Sequence, residues 1–433
     1  MITHENYEID STDDIELGIK RSSKLEFIVT YDATKPAKAL FVFINGIRDA
    51  DYADYEQHLA EFVASTYEVA VLRVDYHCIG FRPQTGASFY MDARDKENYA
   101  KCCRWLGEAC GLKIELPAEL LNDEILGQKE GLAAFGTLDE LLASLKNQGK
   151  IAPDFRVPLS AGLAPTKGEY NNFGVMQALD ILNAICFVRA RHAKFKLPKT
   201  PKTLLFGTSH GGYLAFLCAK FAPWLVDAVV ENSGYANAPL RLLGLGKDID
   251  YTQCFEYANG DMFGNIVLFV NTKTHFSLKE GAPNAYTTAH DKIRSLPESD
   301  HLGLQATCHK AVFVSYHSAK DEFLALPATK ERLYEMLKAL KYEARLTMIK
   351  DESEIDGKFI KDLTHGMGMS LKTLIQKELP PLLERNFTHK KGEKREIIYE
   401  SEGLIYHFKQ RNDGVELRVG GDERLNFTAV DWV

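Results

Sequence analysis

Apolar and polar stretches alternate along the chain with two different periods, and the changes between them mark out strands and helices. Residues 15–20 and 25–31 alternate in polarity and read as two opening strands joined by a Ser-Ser turn. Residues 38–45 (KALFVFIN) are continuously apolar, as in a central strand covered on both faces. Residues 55–65 set Leu59, Phe62 and Val63 on one helical face, and 69–75 (VAVLRVD) form the next buried strand. Regularity lapses from 84 to 168. Helical pieces at 97–110, 118–126 and 137–146, broken at Gly111, Pro117 and Gly127, make this a helical insertion longer than an ordinary crossover.

The main pattern returns with a long apolar helix at 172–190, a strand leading into Ser209, and a strand at 226–231 that ends in Asn232-Ser233-Gly234. Residues 235–305 are irregular apart from one apolar run at 266–271, and read as a lid or cap. Strands at 311–316 and 344–349 alternate with helices at 328–340 and 367–385, the last closed off by Pro380-Pro381. Segments 396–405 and 415–419 flank Asn412-Asp413-Gly414, a hairpin signal. The chain thus divides into core segments 1–83, 169–234 and 306–390, insertions at 84–168 and 235–305, and a small β appendage at 391–433. Strands alternating with helices imply an α/β fold, with a doubly wound, mostly parallel sheet. Sites in such sheets form beyond the carboxyl ends of the strands.

One such end carries Gly207-Thr208-Ser209-His210-Gly211, between the buried strand Leu204-Leu205-Phe206 and a helix-compatible run at 213–221. A Gly-x-Ser-x-Gly in that setting forces a sharp reversal and holds the serine at a helix N-terminus. Side chains at 207 or 211 would collide with the neighbouring backbone, and Gly212 lets the helix pack closely. A serine needs a base to take its proton and a third group to orient that base. Asp321 lies in the loop after strand 311–316, where an orienting acid belongs; Glu322, Asp351, Asp356 and Asp362 are its competitors. Of the 13 histidines, only His365, His389 and His407 follow Asp321, and His365 precedes a glycine between a strand and a helix. His365 is the candidate base. Backbone N–H donors for an oxyanion are expected from His210 and from the loop Asn45-Gly46-Ile47, with Ile47 preferred to Gly46. The His210 side chain reads as packing, and Arg48 or Arg82 as a possible counter-charge to an acidic substrate.

Composition narrows the partners. A net charge of −8 over 433 residues argues against a general binder of nucleic acid or anionic membrane. No apolar run reaches the roughly 18 residues of a membrane span. The polar start lacks the pattern of a signal peptide, and eight cysteines without a C-x-x-C pair suit reduced thiols in the cytoplasm. Neither metal nor cofactor is expected: His275, His290, His301 and His309 are scattered, and no phosphate-binding glycine loop is present.

The segment GTSHGGYLAFLCAKFAPWLVDAVVENSG resembles the nucleophile region of prolyl-oligopeptidase-like and related esterase families of the α/β-hydrolase fold. HKAVFVSYHSAKDEFLALPATKERLYEML resembles their acid region. His317-Ser318 stands where these families usually have His-Gly before the acid, and Asn45-Gly46 where many have His-Gly. The resemblance implies a serine hydrolase of a bacterial branch, acting through Ser209, His365 and Asp321 on a small-molecule or glycan acyl ester, or on a thioester. An acyltransferase onto a carbohydrate hydroxyl, a small-peptide peptidase and a catalytically silent binding protein are the alternatives. The two irregular stretches are expected to set the substrate.

Overall fold

The structure is a computed structural model that describes residues 1–46, 53–80, 86–122, 124–256, 263–388 and 394–421. Strand β1 (Ile2–Ile9) pairs antiparallel with β2 (Leu25–Asp32) along its whole length. The opening strand therefore lies earlier than the polarity pattern indicates, and residues 14–19 form a turn closed by a bridge between Asp14 and Ile19. β1 is an edge strand with no fully buried residue, so ITHENYEI carries little apolar signal.

The chain continues through β3 (Ala39–Ile44), α1 (Ala53–Tyr67), β4 (Ala70–Asp75), β5 (Ser88–Tyr90), α2 (Ala93–Cys110), α3 (Gln128–Asn147) and β6 (Val157–Ala164). Next come α4 (Val175–Ala190), β7 (Lys202–Thr208), α5 (His210–Phe221), β8 (Ala228–Asn232), β9 (Phe255–Glu256) and β10 (Ile266–Thr272). Two short helices follow, α6 (Thr288–Arg294) and α7 (Ser299–Gln305), then β11 (Val312–Ser318), α8 (Pro327–Ala339), β12 (Ala344–Ile349) and α9 (Leu371–Glu384). β13 (Glu396–Ser401), β14 (Leu404–Arg411) and β15 (Gly414–Gly421) complete the order. Among the described residues no helix is long and apolar enough to cross a membrane.

These elements form two compact units. The first comprises residues 1–77, 173–239 and 286–433. Its sheet has the order β1-β2-β4-β3-β7-β8-β11-β12, parallel from β4 onward, which is the doubly wound α/β class expected. The two-residue period of a strand sorts its side chains between the helical layers. In β11, Val312, Val314 and Tyr316 join the core cluster under α1 and α9. On the opposite face Phe313 stacks on Phe216 of α5, and Ser315 bonds Tyr334 of α8. Helix α9 begins at Leu371 and runs through Pro380 and Pro381 to Glu384, so the prolines fall within the helix instead of closing it.

Residues 396–421 form a three-stranded antiparallel sheet, one strand more than the hairpin read from sequence, because the turn at Glu402-Gly403 divides the stretch 396–405. The sheet packs on the end of α5. Tyr399 donates to the Lys220 carbonyl at 2.6 Å, and Phe408 stacks on Phe221 with ring centroids 4.2 Å apart. Tyr406 also reaches Glu16, whose carboxylate is gripped by both terminal nitrogens of Arg294 at 2.8 and 2.5 Å.

The second unit comprises residues 78–172 and 240–285. Its sheet, β5-β6-β10-β9, packs with α2 and α3 around Phe89, Tyr99, Leu106, Phe135 and Leu142. Two expectations need correction. The stretch 84–168 is not purely helical, and 118–126 holds only a 3₁₀ turn at Ala118–Leu120. The two irregular stretches are also not separate pieces: β6 and β10 pair in parallel across a hundred residues of sequence. Pro158, Ser160 and Gly162 hide β6 from a propensity reading. Gly162 is required because the Tyr90 ring lies where a Cβ would be.

The Glu16–Arg294 pair is almost fully enclosed. Arg294→Met strands Glu16 without its counter-charge and is expected to cost about 3–5 kcal/mol. Urea denaturation measures this, and Glu16→Leu in the same chain should recover much of the loss.

Candidate active site

Ser209 sits between the last residue of β7 and the first turn of α5, with φ 52° and ψ −120°, a strained backbone for a residue with a side chain. The glycines flanking it explain how the strain is tolerated. A Cβ at Gly207 would overlap the Gly211 carbonyl, and one at Gly211 would overlap the carbonyls of Ile44 and Asn45 after β3. With both Cβ atoms absent, α5 lies close on the strand ends and Ser209 N–H donates to the Asn232 carbonyl at 2.8 Å.

His365 Nε2 lies 2.7 Å from Ser209 Oγ, and its Nδ1 lies 2.6 Å from Asp321 Oδ2. A carboxylate can only accept, so Nδ1 carries the proton and Nε2 accepts from the serine hydroxyl. Asp321 is almost entirely enclosed, and its other oxygen accepts from Ala325 N–H at 3.3 Å. Burial pushes its pKa up, but the hydrogen bond and charge of His365 outweigh that and hold it below the ordinary value. The competing acids are occupied locally. Asp351, Asp356 and Asp362 each cap the turn that follows them, and Glu322 is exposed. His407 contacts Glu396, and His389 lies outside the described residues.

Five residues that sequence reasoning passed over hold these groups in place. Asn232 Nδ2 donates to the Gly366 carbonyl at 3.0 Å, while Ser233 Oγ accepts from Gly366 N–H at 3.1 Å. The peptide after His365 is thereby fixed from both sides. Below it, Glu231 forms an ion pair with Lys330 at 2.7 Å, both fully buried. Its other oxygen accepts from Gly234 N–H at 2.5 Å and lies 2.9 Å from where Gly212 would carry a Cβ. Lys330 also donates to the Gly234 carbonyl at 2.7 Å. Tyr76, fifth of the group, donates to the carbonyls of Asn45 and Gly46 at 2.9 and 3.0 Å. The Asn-Ser-Gly ending of β8 was the one visible sign of this support.

Gly46 faces the elbow, and a Cβ there would lie 3.3 Å from that of Ser209. The His210 amide opens α5, where the first N–H groups have no partner within the helix. Ile47, Arg48 and Arg82 lie outside the described residues. The His210 ring is buried: its Nε2 donates to Gln177 Oε1 at 2.9 Å, and Nδ1 accepts from the Tyr235 hydroxyl. Burial lowers its pKa to about 3, so the ring stays neutral. His301 bonds to the Glu400 carbonyl, His309 lies 3.1 Å from Asp227, and among the described residues no cluster of ligands could hold a metal ion.

The strand order, the strained serine where β7 meets α5, and the placement of an acid after β11 and a histidine after β12 define a protein of the α/β-hydrolase fold. Within that class, the chain belongs to the family described as "Protein of unknown function (DUF2920)", matched over residues 5–419. No curated protein matches the sequence. Similar solved structures include esterase Est22, at 10% identity over 80% of this chain and 71% of that one, with a TM-score of 0.38. An acylaminoacyl peptidase of Pyrococcus horikoshii is 12% identical over 90% of this chain and 43% of its own, with a TM-score of 0.42. Fungal esterases from Rhizomucor miehei give 11% identity, 81% and 74% coverage, and a TM-score of 0.38.

The depressed pKa of His210 has a consequence for stability. In the unfolded chain this histidine takes up a proton below its ordinary value of 6.5, whereas the folded chain resists protonation down to about 3. Stability is therefore lost as pH falls through that window, by at most about 1.4 kcal/mol per pH unit. His210→Gln should flatten this part of a stability-against-pH curve measured by denaturant unfolding.

Proposed function

We propose that the protein is a serine hydrolase that cleaves an ester or thioester through a covalent acyl-enzyme. The observation that carries this reading is the unbroken chain of contacts from Ser209 Oγ to His365 to Asp321, at 2.7 and 2.6 Å. In this reading Ser209 Oγ attacks the acyl carbon while its proton passes to His365 Nε2. Asp321 stays ionised and stabilises the imidazolium. The carbonyl oxygen, now negative, is met by the His210 N–H, a donor of a kind worth about 3–4 kcal/mol. His365 then gives its proton to the departing alcohol or thiol. A water molecule, deprotonated by the same nitrogen, attacks the acyl-enzyme and frees Ser209.

The elbow suits this role. Ser209 is held by strain and close backbone packing, so its hydroxyl needs no reorganisation before attack.

A fluorophosphonate probe should label the wild-type protein at Ser209 and leave Ser209→Ala unlabelled. Equal labelling of the two proteins, read by intact mass, would remove Ser209 from the mechanism. With a p-nitrophenyl ester as substrate, Ser209→Ala and His365→Ala should each lower kcat by about 10⁶, and Asp321→Asn by about 10⁴.

A further inference from the structure

A cavity in the first unit, of about 200 Å³, lies far from Ser209. It opens near the start of β7, whereas Ser209 follows its end; seven strand residues put roughly 20 Å between them. Its walls include Arg189 from the last turn of α4, Lys199 from the loop before β7, and Arg395 just before β13. Trp224, Gln410 and Asn412 are also among the lining residues. No acidic residue lines it among the described residues.

None of the three cations forms an ion pair with a described carboxylate, whereas the buried Arg21 and Arg294 of the same unit each grip one. Arg189 spends one nitrogen, Nη1, on the Pro201 carbonyl at 3.1 Å and Thr203 Oγ1 at 2.7 Å. Among the described residues its Nε and Nη2 have no hydrogen-bond partner. Burial, opposed by Asp227 behind the wall and reinforced by Arg395, lowers the Arg189 pKa. Cationic side chains converging on a half-enclosed space repel one another, and an anion between them relieves that cost. The negative end of the α4 dipole offsets only about half a charge.

Gln410 adds to the donor set. Trp224 Nε1–H donates to Gln410 Oε1 at 3.0 Å, and an indole can only donate. The amide is thereby oriented, and its NH₂ is left as a further donor. A cavity offering two guanidinium groups, an ammonium and an amide NH₂ matches a tetrahedral oxyanion rich in acceptors.

We propose that this cavity binds a phosphate group, either free or carried by a small phosphorylated molecule, at a site separate from Ser209. The space exceeds what a bare phosphate fills, which leaves room for a small organic substituent.

The full chain is titrated at low ionic strength with sodium phosphate, glucose 6-phosphate and, as a neutral control, glucose. Heat is followed by calorimetry, and Trp224 fluorescence is assigned with Trp224→Phe. Saturable binding of a phosphate-bearing ligand is expected, weakened at least about tenfold by Arg395→Gln and by Lys199→Gln, each of which removes one charge-assisted contact. Both side chains sit on exposed residues, so the variants should keep the wild-type unfolding temperature. Tighter binding of glucose 6-phosphate than of phosphate assigns the site to phosphorylated small molecules, and equal binding assigns it to the free ion. Absence of saturation with either, binding untouched by both substitutions, or equal binding of glucose would overturn the proposal.

Discussion

A single buried carboxylate, that of Glu231, ties together the elements that carry the candidate triad. Through Lys330 it fixes α8, the helix following the Asp321 loop. Through Ser315 it is joined to β11, and through Gly234 N–H to the turn whose Ser233 and Asn232 hold the peptide after His365. It also occupies the space beside Gly212, so α5 and its serine rest against it. Taking such a charge out of water is costly, and only a matched partner with full hydrogen bonding makes it tolerable. Each of those partners belongs to a different segment of the chain, so the carboxylate is satisfied only when all of them have arrived.

How much of this could be read from the chain itself depended on distance along it. The elbow was legible because its demands fall on five consecutive residues: glycine at 207 and 211, and serine between a buried strand and a helix. Asp321 and His365 were legible by position, each following a strand; the His365 ring meets Ser209, and Asp321 meets the far side of that ring. Glu231, Lys330 and Tyr76 were not, since a buried charge or a tyrosine hydroxyl has no period and gains its meaning only from a partner far away. Strand β1 escaped notice as a polar edge strand, and β6 because proline, serine and glycine interrupt its apolar positions. The hundred-residue separation between β6 and β10 then concealed that two irregular stretches build one sheet.

The family match from residue 5 to 419 takes in both units and the C-terminal sheet, so the family is defined by more than the eight-stranded core. Within the first unit, the same chain segment serves two ends of one strand. The carboxyl end of β7 presents Ser209, and its amino end borders the cationic cavity beside α4 and β14. The seven residues of β7 separate the two.

The three strands at 396–421 look, in sequence, like a piece that could be trimmed away. The contacts of Tyr399 with Lys220 and of Phe408 with Phe221 say otherwise. Helix α5 is a rod about 18 Å long, wedged under β3 at the serine end and gripped by this sheet at the other. A chain stopped before Glu396 would leave the Phe221 ring bare to water and the Lys220 carbonyl without its tyrosine donor. The rod would then be seated at one end only. What resembles a dispensable tail thus marks a boundary for engineering: shortened versions would forfeit the exactness of the elbow before they forfeit the fold.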